Sequence, residues 1–200
     1  MNKEELLNKL KDTTIYQEYL KLESVYKDLD EKQEIFCEAF DVHCKKGCGT
    51  CCEHFIPDIY NVEARFLALG VILDNRVEEV KEKIEAFSPN QEHCPLYDFD
   101  SDYHCTVYQY RPLICRLFGA TASSNKNGCA CFRHCKYNVG AKDLNSDELA
   151  LKKDKVIHMS DYGLKIEELA LGEKEKMLLP YALSKAIDEI LYILELLSNA

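Results

Sequence analysis

Four thiols fall within nine residues in the run Cys44-Lys45-Lys46-Gly47-Cys48-Gly49-Thr50-Cys51-Cys52. Spacings of two or three residues let successive sulfurs converge on one centre, with Zn–S bonds of about 2.3 Å if the metal is zinc. Gly47 and Gly49 allow a tight backbone turn and leave amide N–H groups free to donate to sulfur. Free cysteines are often small buried hydrophobes, but four on one glycine-bearing loop would make a poor core and an oxidation hazard. Adjacent Cys51 and Cys52 are expected to point in different directions, which favours two sites or one bridged cluster over a single tetrahedral ion.

Further sulfurs follow at Cys94, Cys105 and Cys115, and then in the close trio Cys129, Cys131 and Cys135, so ten cysteines lie between 44 and 135. Two four-thiolate sites would use eight of the ten, and the surplus comes most naturally from the trio, whose spacing also suits a separate centre. Cys37 stands apart in an expected helix and reads as a buried apolar residue. His43, His93, His104 and His134 each precede a cysteine directly and His54 lies two after Cys52. Sequence neighbours usually point away from the same site, so these histidines read as residues beside the ligands.

From Tyr103 to Ala141 there is no Asp or Glu, while Arg111, Arg116, Lys126, Arg133 and Lys136 bring five positive charges. A thiolate cluster is negative and buried charge needs compensation, so Arg111 and Arg116 are candidates to hold the bound cofactor. Binding an anionic substrate, or forming an ordinary solvated face, are the other uses. Eight aromatics between Tyr97 and Tyr137 either shield the metal or form the local core.

These residues must be positioned by helices. Leu6, Leu10, Tyr19, Leu20, Val25, Tyr26 and Leu29 fall near helical spacing with no Gly or Pro before residue 43, predicting one or two helices. A further helix is expected from Pro57-Asp58, with Asp58 as cap and Gly70 as breaker, followed by an amphipathic stretch through Val77, Val80, Ile84 and Phe87. The clearest helix runs from Pro180 to Leu197, with Leu183, Ile187, Ile190, Leu194 and Leu197 on one face that is core or a protein-partner surface. Between Cys94 and Tyr137 periodicity disappears and loops are expected. The expected fold is therefore mainly α, one domain over 1–200, with N-terminal helices 1–43 and C-terminal helices 141–198 flanking a loop-rich, cysteine-rich metal-binding centre 44–137.

The composition, 46% hydrophobic and 30% charged, is that of a globular chain. A net charge of −10 provides no basic face to replace the counterions of nucleic acid or anionic lipid. No signal peptide and no run of roughly 18 apolar residues is present, so neither export nor membrane insertion is expected and the protein is placed in the cytoplasm. Eleven cysteines in a reducing compartment point to metal or redox chemistry ahead of a disulfide framework.

The linked motifs Cys44-x3-Cys48-x2-Cys51-Cys52, Cys94-Pro-Leu and Cys105-Thr-Val-Tyr108-x2-Arg111-Pro112-x2-Cys115-Arg116-x-Phe118 resemble the bacterial and archaeal cysteine-cluster proteins of the YkgJ type, a zinc- or iron-chelating domain. The resemblance implies metal binding and no particular activity. A similar cysteine pattern occurs in the longer flagellin lysine methylases, which makes a cluster-dependent protein methylase an analogy only. Two readings lead: an iron–sulfur protein, redox-linked, and a zinc-stabilised protein-interaction module. A metal store is a third. The Cys44-x3-Cys48-x2-Cys51 spacing is also that of radical S-adenosylmethionine enzymes, but those carry it after the first strand of a β/α barrel, and helices are expected here on both sides.

Overall fold

In the computed structural model, residues 2–42, 48–100, 104–135, 142–170, 172–173 and 175–199 are described. Cys44, His43 and Gly47 of the thiol run lie outside them. The N-terminal segment forms two helices, α1 (Lys3–Leu10) and α2 (Thr14–Phe40). Each has its own cap. The Asn2 side chain accepts from the Glu5 N–H at 2.9 Å while Glu5 accepts from the Asn2 N–H at 3.0 Å, and Thr13 Oγ1 accepts from the Tyr16 N–H at 3.3 Å. α2 stops at Asp41, which adopts a left-handed conformation at φ 55°.

The next helix starts later than the sequence predicts. Asp58–Ile59 is a short strand, β1, paired antiparallel with β4 (Met177–Leu178), so Asp58 is extended and does not cap. α3 (Asn61–Leu73) opens instead where the Glu63 carboxylate accepts from the Tyr60 N–H at 3.1 Å. Gly70 does not break it. It sits inside α3 because the ring of Tyr110 packs directly on its Cα, and a Cβ there would fall within the ring. Gly70→Ala should gain helix propensity yet still lose stability by about 1–3 kcal/mol through overpacking, measurable as a lower urea midpoint. An unchanged or raised midpoint would show that Tyr110 can move aside freely.

α4 (Val77–Glu85) follows as its amphipathic pattern predicts. The middle of the chain is largely irregular, holding the short α5 (Leu113–Leu117) and the hairpin of β2 (Ser123–Ser124) with β3 (Ala130–Cys131). α6 (Ser146–Ala150), α7 (Met159–Leu169) and α8 (Leu179–Ser198) complete a mainly helical fold with a cysteine-rich loop region in its middle.

α8 lies along α3, burying Leu183, Ile187, Ile190 and Leu194, while Leu197 stays exposed. Its apolar face is thus chiefly core. α2 packs on α3 and α7, and Arg65 of α3 ties the layers together through Glu18 of α2 at 3.0 Å and Glu189 of α8 at 2.9 Å. No helix among the described residues is long and apolar enough to cross a membrane.

Candidate metal centre

The described chain resumes at Cys48 and Gly49 and closes a 3-10 turn over Thr50–His54, in which the Cys52 N–H donates to the Gly49 carbonyl at 2.8 Å. Gly49 sits at φ 20°, a conformation that disfavours a side chain. The turn brings Cys48, Cys51 and Cys52 to one side of a cavity of about 60 Å³. Cys105, Cys115 and Cys135 border the same cavity, together with Gly49, Tyr108, Arg111 and Phe118. Six thiols from four separate stretches of chain therefore face one space. One water needs only about 10–15 Å³, so this space takes more than a single small occupant. Among the described residues, no three His, Cys, Asp or Glu side chains close on a single point as metal ligands, so the thiols rim a space.

Cys51 and Cys52, expected to point in different directions, both line the one cavity. The neighbouring Cys52 thiol is the main reason the Cys51 thiol is brought down to about 7, with the Arg111 charge helping, while the same pairing and burial push Cys52 up. Burial pushes up the Cys94, Cys105 and Cys115 thiols, Cys94 to about 12, and neighbouring thiols add to the effect. Without a cation these sulfurs resist joint ionisation, whereas a bound metal deprotonates its thiol ligands outright. The donor set fits a thiophilic metal.

Cys94 is buried but is not part of the cavity wall; its N–H donates to the Cys52 carbonyl at 3.1 Å, behind the turn. The trio divides. Cys135 faces the cavity, Cys131 sits on β3 with its sulfur 3.7 Å from Ser123 Oγ, and Cys129 is exposed. Cys37 is in α2, packed against the core and apart from the cavity. The described histidines have other neighbours: His54 lies 3.7 Å from Glu92, His134 pairs with Asp143 at 2.8 Å, His104 meets the Asp98 carbonyl at 3.1 Å and His93 packs on Phe99.

The two arginines have different places. Arg111 lines the cavity, stacked 3.5 Å over the Tyr108 ring, and donates to the Tyr108 and Cys115 carbonyls at 2.9 and 3.4 Å. Arg116 turns away from the cavity into a clamp. It donates to the Arg111 carbonyl at 2.8 Å and to the Gln109 carbonyl, pairs with Asp30 of α2 at 3.0 Å and covers the Tyr26 ring at 4.2 Å. Asp30 is half exposed and tolerates losing its partner, so the cost of Arg116→Gln lies in the two carbonyls and the lost packing. That variant should be destabilised by about 2–4 kcal/mol in urea unfolding. A loss near zero would show that the loop 109–116 is held by other contacts.

Glu63 completes the support, and sequence reasoning missed it. It is 4% exposed, and its Oε1 accepts from the Leu113 N–H at 2.7 Å and from the Tyr26 hydroxyl at 3.1 Å. Burial raises its pKa and the Leu113 N–H opposes that rise. The first turn of α5, and with it Cys115, is thereby fixed to α2 and α3. The aromatics split by role: Tyr108 and Phe118 line the cavity, whereas Phe132 is fully buried against Phe36 at 5.6 Å.

A family model described as "Putative zinc- or iron-chelating domain" and built on a CxxCxxCC pattern matches residues 43–153. No curated protein and no solved structure matched the chain.

Proposed function

Since the chain belongs to the CxxCxxCC family of zinc- or iron-chelating domains, we propose that it is a thiolate metal protein whose centre is an iron–sulfur cluster. The observation that carries this reading is the convergence of Cys48, Cys51, Cys52, Cys105, Cys115 and Cys135 on one cavity. A lone tetrahedral zinc uses four sulfurs about 2.3 Å away and leaves no space between them. Six thiols around a cavity of about 60 Å³ suit a larger, sulfide-containing group better. Cys44, in the same run as Cys48, is assigned to the ligand set, and Cys94 supports it from behind.

A bound cluster supplies one-electron transfer. The chain's own residues hold it: the turn at Gly49 brings Cys48, Cys51 and Cys52 to the cavity, α5 carries Cys115, and Tyr108 and Phe118 border the rim. Such a thiol set belongs in a reducing compartment, in keeping with the cytoplasm.

Anaerobic purification followed by iron, zinc and acid-labile sulfide analysis tests the proposal. Brown protein with iron and sulfide in similar amounts is expected. Colourless protein with zinc and no sulfide would replace it with the zinc-stabilised interaction module, and the exposed Tyr181, Tyr192 and Leu196 of α8 would then be the first surface to examine.

A further inference from the structure

We infer that Arg111 is the fixed counter-charge of the thiolate centre, a residue that sets the strength of metal binding without being a ligand. The inference rests on the metal-binding reading above. The chain has five arginines. Arg65 pairs with Glu18 and Glu189, Arg76 with Glu79, Arg116 with Asp30 and Arg133 with Asp143. Of the five arginines, Arg111 alone has no carboxylate partner among the described residues, and it lines the thiol cavity.

Its position is rigid. The Tyr108 ring supports one face at 3.5 Å, while Nε and Nη1 donate to the Tyr108 and Cys115 carbonyls. Those carbonyls consume donors but cancel no formal charge. Cys51, Cys105 and Cys115, three cysteines from three different stretches of chain, line the same cavity as the guanidinium. A half-buried cation facing sulfurs and no acid is unmatched until those sulfurs carry negative charge, which they do when a metal holds them as thiolates. An anionic centre and a preplaced guanidinium stabilise each other. Arginine suits this task because its charge is permanent and its planar group stacks.

The test uses the full-length protein as wild type, R111Q and R111K, stripped of metal and reloaded with zinc as the probe. Chelator competition gives the affinity, and far-UV circular dichroism confirms equal helix content. R111Q should bind zinc about 10–100-fold more weakly, the usual cost of losing a group that supports metal ligands, and R111K should recover the larger part. Cobalt(II) loading adds a spectroscopic readout: the thiolate-to-metal charge-transfer band should move in R111Q and return toward wild type in R111K. R111Q binding as tightly as wild type would overturn the inference alone. Equal losses in R111Q and R111K would overturn it too, because packing would then be the role of Arg111. Wild type that takes up no zinc, cobalt or iron would instead overturn the metal reading, and this inference with it.

Discussion

Serine in place of Cys115 is expected to strip the protein of most of its metal while leaving its helices in place. Cys115 lies in α5, whose first N–H is held by the buried Glu63 and whose flank is clamped by Arg116, so its sulfur has little freedom to be replaced by another. A serine hydroxyl has nearly the shape of the thiol but is a poor ligand for a soft metal. The loss in affinity should exceed the roughly 10–100-fold typical of an outer supporting residue. Cys51→Ser and Cys105→Ser should behave alike. Cys37→Ala and Cys129→Ser are the matched controls, since neither residue borders the cavity, and both should keep full metal content. Metal analysis with circular dichroism on the same samples checks this. Undiminished metal in all three cavity variants, or loss of metal from folded Cys37→Ala, would sink the assignment.

Metal removal is expected to open the centre of the chain selectively. Structural zinc in small domains is worth about 10–16 kcal/mol of apparent binding free energy, and that energy is lost from whichever segments supply ligands. Here the segments are unequal. Leu96, Val107, Leu117 and Phe132 are buried in the common core, and residues 109–116 are additionally pinned by Arg116 and Glu63. The tip of the hairpin before Phe132 has no comparable anchor; Asn125 to Gly128 is exposed. After chelation, limited proteolysis should cut first between residues 124 and 135 and only later near 109–116, while most helical circular dichroism survives because α2, α3 and α8 pack on one another. Cleavage as slow as in the metal-loaded protein would mean that the metal is an accessory on a finished fold.

The long elements were readable from sequence because their information is local. α1, α2, α4 and α8 each carry an apolar stripe at helical spacing and, where capped, the cap residue stands next to the helix it stops or starts. The chemistry of the centre was readable for a similar reason: thiols three or four residues apart on a glycine-bearing turn have few other uses. Asp58 and Gly70 were misread because their conformations answer to partners far along the chain. Asp58 is extended by pairing with Leu178, and Gly70 is needed by the Tyr110 ring.

Membership of the cavity was likewise decided in three dimensions. Cys129, Cys131 and Cys135 look equivalent in sequence, yet a hairpin of two short strands turns Cys131 toward Ser123 and leaves, of the three, only Cys135 at the cavity. Arg111 and Arg116 look like a matched pair, yet they differ by five positions across a short helix, which sends one to the thiols and the other to Asp30. Sequence by itself determined which residue types were available for metal chemistry and which stretches would be helical, because both follow from side-chain chemistry and short-range periodicity. The tertiary structure alone decided which sulfurs and which cation share one space, because that depends on how α2 and α3, far apart in sequence from the loop they hold, grip it through Glu63, Tyr26 and Asp30.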